Sequence, residues 1–198
     1  MIINVLAEGF TEEHVATRLL HYCGHELGVV YGRKGCDYVR QKASFFHHLA
    51  TADTGVLVLS DFRDTGETCV PNALQEYVLK KIPVPPKTFL CRFAVNEIES
   101  WLMADREGIS NYIGVALSKV PLQPENEEFP KRTLINLSRS SRIKRIRNGF
   151  APPVGHYSDV GPKYMNLIHE YVNNFWNIEA AMKIAKSLER CIYRLRSL

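Results

Sequence analysis

IINVLA (residues 2–7) and GVLVLS (residues 55–60) are the two short apolar segments that decide the fold of this chain. The first is followed by EGFTEE (8–13) and the second by DFRDTGE (61–67). Apolar runs of this length, bounded by turn signals, predict buried strands. Carboxylates thus follow two strands at the edge where open α/β sheets place their ligands. A cluster of acids there predicts a Mg²⁺ or Mn²⁺ site, and such metals commonly act on phosphate esters.

The rest of the chain alternates between strand and helix patterns up to about residue 104. A strand is predicted within 28–35 and another at 88–95, each preceded by a helix pattern. This alternation predicts βαβ units, and therefore an α/β fold with a mostly parallel sheet flanked by helices.

The pattern changes after residue 117, and we expect an α/β core over 1–117. Residues 118–198 are predicted to form a basic loop and C-terminal helices that pack on this core in a single compact unit. They include a long loop at 148–162 and a final helix running from Asn177 through Leu195.

Composition narrows the function classes. The chain has 198 residues, of which 45% are hydrophobic and 23% charged, as in an ordinary globular domain. No stretch approaches the ~20 apolar residues needed to span a bilayer, and no signal peptide is recognisable, so we expect a cytoplasmic protein without a membrane partner. No P-loop or serine nucleophile elbow supports ATP or ester hydrolysis. The five scattered cysteines contain no C-x-x-C pair, which favours buried free thiols over zinc or disulfides.

Charge is distributed unevenly along the chain. Residues 132–198 hold 12 Lys/Arg against 4 Asp/Glu, whereas residues 1–131 hold 13 against 17. An acidic body with a basic end indicates a metal site beside a surface for a polyanion. Two differently solvated halves would give the same distribution.

A run of cations without an acid is the densest basic feature. Five positive residues occur within nine positions: Arg139, Arg142, Lys144, Arg145 and Arg147. They are candidates for binding nucleic-acid phosphates, because each neutralised phosphate releases counterions. A solvated basic loop is the alternative.

Four segments together resemble a known family. AEGFTEE (7–13) and VLVLSDFRDTGE (56–67) resemble the Toprim domain shared by topoisomerases, primases and overcoming-lysogenization-defect nucleases. RFAVNEIESWLMAD (92–105) and FPKRTL (129–134) resemble a Toprim-related bacterial family of unknown function. The likeness covers nearly the whole chain. It implies a Toprim-like sheet using Mg²⁺ for phosphodiester cleavage or transfer, often within defence or genome-maintenance systems. The expected partners are an ATPase protein and a second copy of this chain in a homo-oligomer.

The resemblance assigns roles to individual residues. Glu8 matches the Toprim glutamate, a general acid/base that can touch the metal, and Asp61 matches the first aspartate of the D-x-D motif. The second aspartate falls on Arg63, so the sequence departs from the family there. Arg63 would then contact phosphate while Asp64 or Glu67 supplies the missing ligand. A weakened metal site without catalysis is the alternative.

Glu97 and Glu99 follow the third strong strand and are further candidate metal ligands. If this segment is helical, the two side chains flank an apolar stripe on opposite sides, so only one faces a shared metal. The resemblance favours Glu99. Solvated acids in a first helical turn are the alternative. Trp101 lies on the stripe and is expected in the core rather than stacked on a base.

These patterns together predict a Mg²⁺- or Mn²⁺-dependent nuclease or phosphodiester-transfer enzyme of Toprim type acting on DNA or RNA. Its metal ligands would come from Glu8, Asp61, Asp64, Glu99 and Glu97. The alternative is a catalytically inactive Toprim-like subunit that binds and regulates an ATPase or a nucleic acid.

Overall fold

The computed structural model describes residues 1–153, 155 and 157–198. Val154 and His156, which belong to the predicted loop at 148–162, lie outside the described residues. The chain divides into two compact units, of which the first comprises Met1–Val95 with Glu189–Leu198 and the second comprises Asn96–Leu188. The boundary predicted at residue 117 falls inside the second unit.

The first unit is built on a four-stranded parallel sheet. Its strands occur in the spatial order β2-β1-β3-β4, and their bounds are β1 Ile2–Ala7, β2 Glu26–Gly32, β3 Thr54–Asp61 and β4 Phe89–Ala94. The predicted α/β class is confirmed, with a parallel sheet, flanking helices and further helices towards the C-terminus. The central strands are apolar on both faces because the connections of a parallel sheet place helices over both.

Helices and helical turns connect these strands. The α-helices are α1 Phe10–Tyr22, α2 Cys36–Lys42 and α3 Val70–Leu74. Short 3₁₀ segments lie at Ala43–Leu49 and Arg63–Thr65, and one π-helical turn lies at Gln75–Leu79. Side chains from α2, α3 and the π-helical turn pack on one face of the sheet, where Val39, Ala73 and Tyr77 join a cluster with Val56 and Val58.

The second unit is helical in the residues that the structure describes. Its α-helices are α4 Ile98–Ala104, α5 Arg106–Ile113, α6 Pro130–Arg139, α7 Lys144–Phe150, α8 Tyr164–Asn174 and α9 Ile178–Ile184. Short 3₁₀ turns lie at Leu117–Lys119 and Pro124–Asn126. The start of the predicted loop at 148–162 is therefore helical, because α7 continues to Phe150.

The single helix predicted from Asn177 through Leu195 is wrong, since the chain forms two helices there. After α9, Ala185 is extended, and α10 spans Lys186–Arg196. The carboxylate of Glu125 accepts hydrogen bonds from the backbone N–H groups of Lys186 at 2.8 Å and Ser187 at 3.0 Å. The first N–H groups of a helix have no partner within the helix itself. Glu125 supplies this partner and so caps α10, which stabilises the break between α9 and α10.

The expectation for the cysteines is only partly met. All five thiols are free, and Cys91 and Cys191 are buried, but Cys69 is exposed and Cys23 and Cys36 are half-buried. Cys69 lies just before α3, where the chain turns at the surface. Among the described residues, no helix is both long and apolar enough to cross a membrane.

Candidate active site at the carboxyl edge of the sheet

Parallel pairing of β1 with β3 brings the first two predicted acids together. Ala7 lies opposite Leu59, so Glu8 emerges beside Ser60 and Asp61. The Ser60 hydroxyl donates a hydrogen bond to Oε1 of Glu8, and the backbone N–H of Asp61 donates to the same oxygen at 3.2 Å. The carboxylate of Glu8 is therefore held at the end of the neighbouring strand.

Asp61 is the last residue of β3 and is 4% exposed. The chain just after it is fixed, because the N–H of Phe62 donates to the carbonyl of Ala94 at 2.8 Å. Glu8 and Asp61 thus form a pair of acids on rigid strand ends. Sites built on strands hold their groups more precisely than sites built on loops.

Arg63 and Asp64 occupy the short 3₁₀ turn that follows. Nε and Nη2 of Arg63 each lie 3.3 Å from Oδ1 of Asp64, and both side chains are 37% exposed. The turn is stabilised by Thr65, whose hydroxyl donates to the carbonyl of Phe62 at 2.7 Å and accepts from the N–H of Glu67 at 3.1 Å. Arg63, which stands where the resemblance expects an aspartate, is consequently paired with Asp64, one of the two acids expected to supply the missing ligand.

The Cys36 thiol lies in the electric field of these acids. Burial is the main cause that raises the pKa of Cys36, and the negative charges of Glu8, Asp64 and Asp37 raise it further. The charges of Glu8 and Asp64 therefore both act on this one thiol. The thiol stays protonated at neutral pH and is a poor nucleophile or metal ligand there.

Tyr77 is a residue of this region that the sequence did not reveal. It lies in the π-helical turn, a distortion often found at functional sites, and is fully buried. Its hydroxyl lies close to Ser60, yet no described residue meets hydrogen-bond geometry with it. Burial raises the pKa of Tyr77, Ser60 lowers it and the charge of Glu8 raises it. The phenol therefore keeps its proton and stays neutral in the region of Glu8 and Ser60.

Arg40 on α2 is the second residue of this region that the sequence analysis did not identify. Its Nη2 donates to the carbonyl of Thr65, and its guanidinium lies 5.8 Å from the centre of the Tyr77 ring. It therefore connects the Arg63–Thr65 turn to Tyr77 and adds a second positive charge, beside that of Arg63, to this acidic edge. No local pattern predicts this, because the contacts join residues 25 or more positions apart.

A metal would have to be held mainly by Glu8 and Asp61. Within the described part of the chain, no group of three or more His, Cys, Asp or Glu side chains is arranged to hold a metal ion. Mg²⁺ nevertheless needs only one or two protein carboxylates, since it keeps several waters and binds substrate phosphates. Glu8 and Asp61, whose backbone N–H binds the Glu8 carboxylate, fit such an ion, whereas the described residues offer no set of side chains for a fully protein-ligated metal.

Glu97 and Glu99 lie in the second unit and are buried, at 2% and 0% exposure. Oε2 of Glu97 accepts the backbone N–H of Lys131 at 2.8 Å. Oε1 of Glu99 accepts the Tyr164 hydroxyl at 2.5 Å and lies 3.6 Å from Nζ of Lys131, while Oε2 has no hydrogen-bond partner among the described residues. The alternative of solvated first-turn acids is therefore wrong. Their sharing of a metal with Glu8 and Asp61 stays a prediction.

Trp101 occupies the core, as its apolar stripe indicated. It is 0% exposed, and its indole N–H donates to the Ser187 hydroxyl at 2.6 Å. This ring is not available to stack on a nucleic-acid base.

The basic run is largely exposed on α6, α7 and the turn between them. Arg145 forms a bidentate ion pair with Glu170, in which Nη1 lies 2.7 Å from Oε2 and Nη2 lies 2.8 Å from Oε1. Nη1 of Arg147 donates to the carbonyl of Ser141 at 2.6 Å. Arg139, Arg142 and Lys144 are also exposed. Arg139 and Arg147 further line a groove of about 460 Å³ with Asn148 and the 151–153 segment. Part of the run is thus helical, and part of its charge is neutralised within the second unit.

No protein-family model, curated protein or solved structure matches the chain. The fold and the candidate site define the class on their own: an α/β protein with a four-stranded parallel sheet and an acidic pair at its carboxyl edge.

Proposed function

We propose that this protein is a Mg²⁺- or Mn²⁺-dependent nuclease or phosphodiester-transfer enzyme of Toprim type. The observation that carries the proposal is the placement of Glu8 and Asp61 at the ends of two neighbouring parallel strands. There the backbone N–H of Asp61 donates a hydrogen bond to Oε1 of Glu8. Acids at this edge of an open α/β sheet are where a ligand and its metal would bind.

A bound metal would polarise the scissile phosphate and neutralise charge on its oxygens. Glu8 would transfer the proton, with its carboxylate oriented by the Ser60 hydroxyl and the Asp61 N–H. Arg63 would contact a substrate phosphate by exchanging its weak, exposed pairing with Asp64 for a charge-assisted hydrogen bond.

The substrate in this proposal is DNA or RNA. Support comes from the basic run, where Arg139, Arg142 and Lys144 are exposed on the second unit. Their contribution would be independent of sequence and sensitive to salt, because it depends on counterion release. A cytoplasmic defence or genome-maintenance role with an ATPase partner or a homo-oligomer belongs to the same proposal.

Cleavage assays on plasmid DNA, single-stranded DNA and RNA with Mg²⁺ or Mn²⁺ test the proposal. We expect metal-dependent cleavage that Glu8→Gln and Asp61→Asn each lower by about 10²-fold or more, the range for loss of a general acid/base or metal ligand. Glu76→Gln is the matched control, since this exposed acid pairs with Lys80 on a helical turn of the same unit. If Glu8→Gln and Asp61→Asn were as active as Glu76→Gln, Glu8 and Asp61 would not form the active site. If the folded wild type cleaved none of these substrates, the proposed enzyme activity would be rejected.

The second candidate is a Toprim-like subunit without catalysis that regulates an ATPase or a nucleic acid. It is favoured by the pairing of Arg63 with Asp64 and by the lack of a three-ligand metal group among the described residues. Titration calorimetry with Mn²⁺ separates the two candidates. Nucleic-acid binding retained without Mn²⁺ binding would support the subunit, whereas Mn²⁺ binding lost in Asp61→Asn would support the enzyme.

A further inference from the structure

A pocket of about 510 Å³ in the first unit is lined by arginines from two elements. Arg92 projects into it from β4, and Arg190 and Arg194 line it from α10, together with Glu189 and Tyr193. The lining therefore carries three positive side chains and one negative side chain.

The three arginines are not paired with an acid among the residues that the structure describes, although Glu189 lines the same pocket. None of them forms an ion pair within the described part of the chain. Nε of Arg92 is buried and has no hydrogen-bond partner among the described residues. Burial is the main cause that lowers the pKa of Arg92. Cys191 raises this pKa, and the positive charge of Arg194 lowers it further. A half-buried guanidinium beside a second positive charge is destabilising unless an anion pairs with it.

A smaller apolar pocket shares two of these arginines. It encloses about 140 Å³, is lined by Arg92 and Arg194, and is otherwise mostly apolar, with Leu74, Val78 and Phe89 among its walls. A cationic pocket and an apolar pocket that share lining residues suit one ligand with an anionic head and a small apolar group.

We propose that this double pocket binds an organic phosphate monoester, with the phosphate against Arg92, Arg190 and Arg194 and its apolar group in the smaller pocket. Guanidinium groups match phosphate through paired hydrogen bonds. The excess of two positive charges in the lining balances the dianion of a phosphate monoester better than the single charge of a carboxylate. The proposal is independent of the nuclease proposed above, because it uses none of its residues.

Calorimetric titration of the full-length protein with phenyl phosphate tests this inference, with inorganic phosphate and benzoate titrated in parallel. We expect phenyl phosphate to bind about tenfold more tightly than either, because only it fills both pockets. Arg194→Ala should weaken phenyl phosphate binding by about tenfold, as expected for the loss of a charge-assisted hydrogen bond. This side chain is exposed, so its removal leaves the fold intact.

Arg196→Ala is the matched control, since Arg196 is exposed on the same helix and stacks on Tyr22 outside the pocket. It removes the same charge and should leave the affinity unchanged. If Arg194→Ala and Arg196→Ala weakened phenyl phosphate binding equally, the proposed site would be wrong. If inorganic phosphate bound as tightly as phenyl phosphate, the smaller pocket would not bind the apolar group. If benzoate bound as tightly as phenyl phosphate, the arginines would not select a phosphate.

Discussion

The hydroxyl of Tyr164 donates a 2.5 Å hydrogen bond to a carboxylate oxygen of Glu99, an acid with no exposed surface. This pairing explains how a glutamate is tolerated inside the second unit. Besides Tyr164, the amine of Lys131 lies 3.6 Å from the same oxygen. Burial of a carboxylate is costly, and each such partner offsets part of that cost.

Tyr164→Phe should therefore destabilise the protein by about 1–3 kcal/mol, the usual cost of leaving a buried polar group without its partner. Urea unfolding followed by circular dichroism measures this loss. Tyr157→Phe is the control, because Tyr157 is fully exposed and should change stability by less than about 0.5 kcal/mol. Equal effects of the two substitutions would show that the Tyr164 hydroxyl does not support Glu99.

Ser60→Ala should lower the turnover of the proposed nuclease by about tenfold while leaving KM little changed. The reason is that Ser60 donates a hydrogen bond to Glu8 and so orients the group proposed to move the proton. Steady-state kinetics over a pH series measures the effect. Ser44→Ala is the control, since this buried serine lies in the Ala43–Leu49 segment. A raised KM with unchanged turnover would contradict an orienting role.

The ion pair of Arg145 with Glu170 should make stability depend on pH. The Arg145 hydrogen bond is the main cause that lowers the pKa of Glu170 below its ordinary value of 4.5. The stabilisation is therefore present above the unfolded-state pKa and is lost as pH falls through the lowered folded-state pKa.

Wild type should exceed Glu170→Gln in stability by about 0.2–1 kcal/mol at pH 7, as is usual for an exposed ion pair. The difference should vanish once the pH lies below the folded-state pKa of Glu170. Urea titrations of both proteins from pH 7 to pH 3 check this. A difference that grows towards low pH would contradict the assigned sign.

The five cysteines should react with iodoacetamide in a fixed order. Cys69 is exposed and should be alkylated first at pH 7.5. Cys91 and Cys191 are buried, and burial raises the pKa of each to about 12, so both should stay unmodified until the protein unfolds. Mass spectrometry of timed samples measures the order. Early modification of Cys91 would show that β4 opens readily.

Glu125→Ala should loosen the start of α10 because its carboxylate caps this helix from a distant turn. Loss of a helix cap costs about 0.5–2 kcal/mol. Hydrogen exchange should show faster exchange at Lys186 and Ser187, and urea unfolding should show the loss of stability. Glu128→Ala is the control, since Glu128 is exposed in the same loop and should change neither measurement.

The strands and the acidic edge could be predicted because their signals are local. The apolar runs at 2–7 and 55–60 became β1 and β3 with changes of at most one residue at each end. Parallel pairing then brought Glu8 to Asp61 without further information, since adjacent parallel strands end at the same edge.

Other features depend on residues that are far apart in the chain and could not be predicted. Tyr77 and Arg40 reach the edge through packing of the π-helical turn and α2 on the sheet. The burial of Glu97 and Glu99 depends on Lys131 and Tyr164, which lie more than 30 residues away. Periodicity within a helix reports its apolar stripe but not which polar side chains a distant partner will cover.

The sequence by itself determined the α/β class, the parallel sheet and which two acids follow or end the two strongest strands, because the hydrophobic period and the alternation of strand and helix patterns are set by residues that are close together in the chain. Only the tertiary structure decided that the Ser60 hydroxyl holds the Glu8 carboxylate beside Asp61, that Arg63 pairs with Asp64, and that three arginines line one pocket. Hydrogen bonds and charges act through space, so their partners are set by the folded chain and not by the spacing of residues along it.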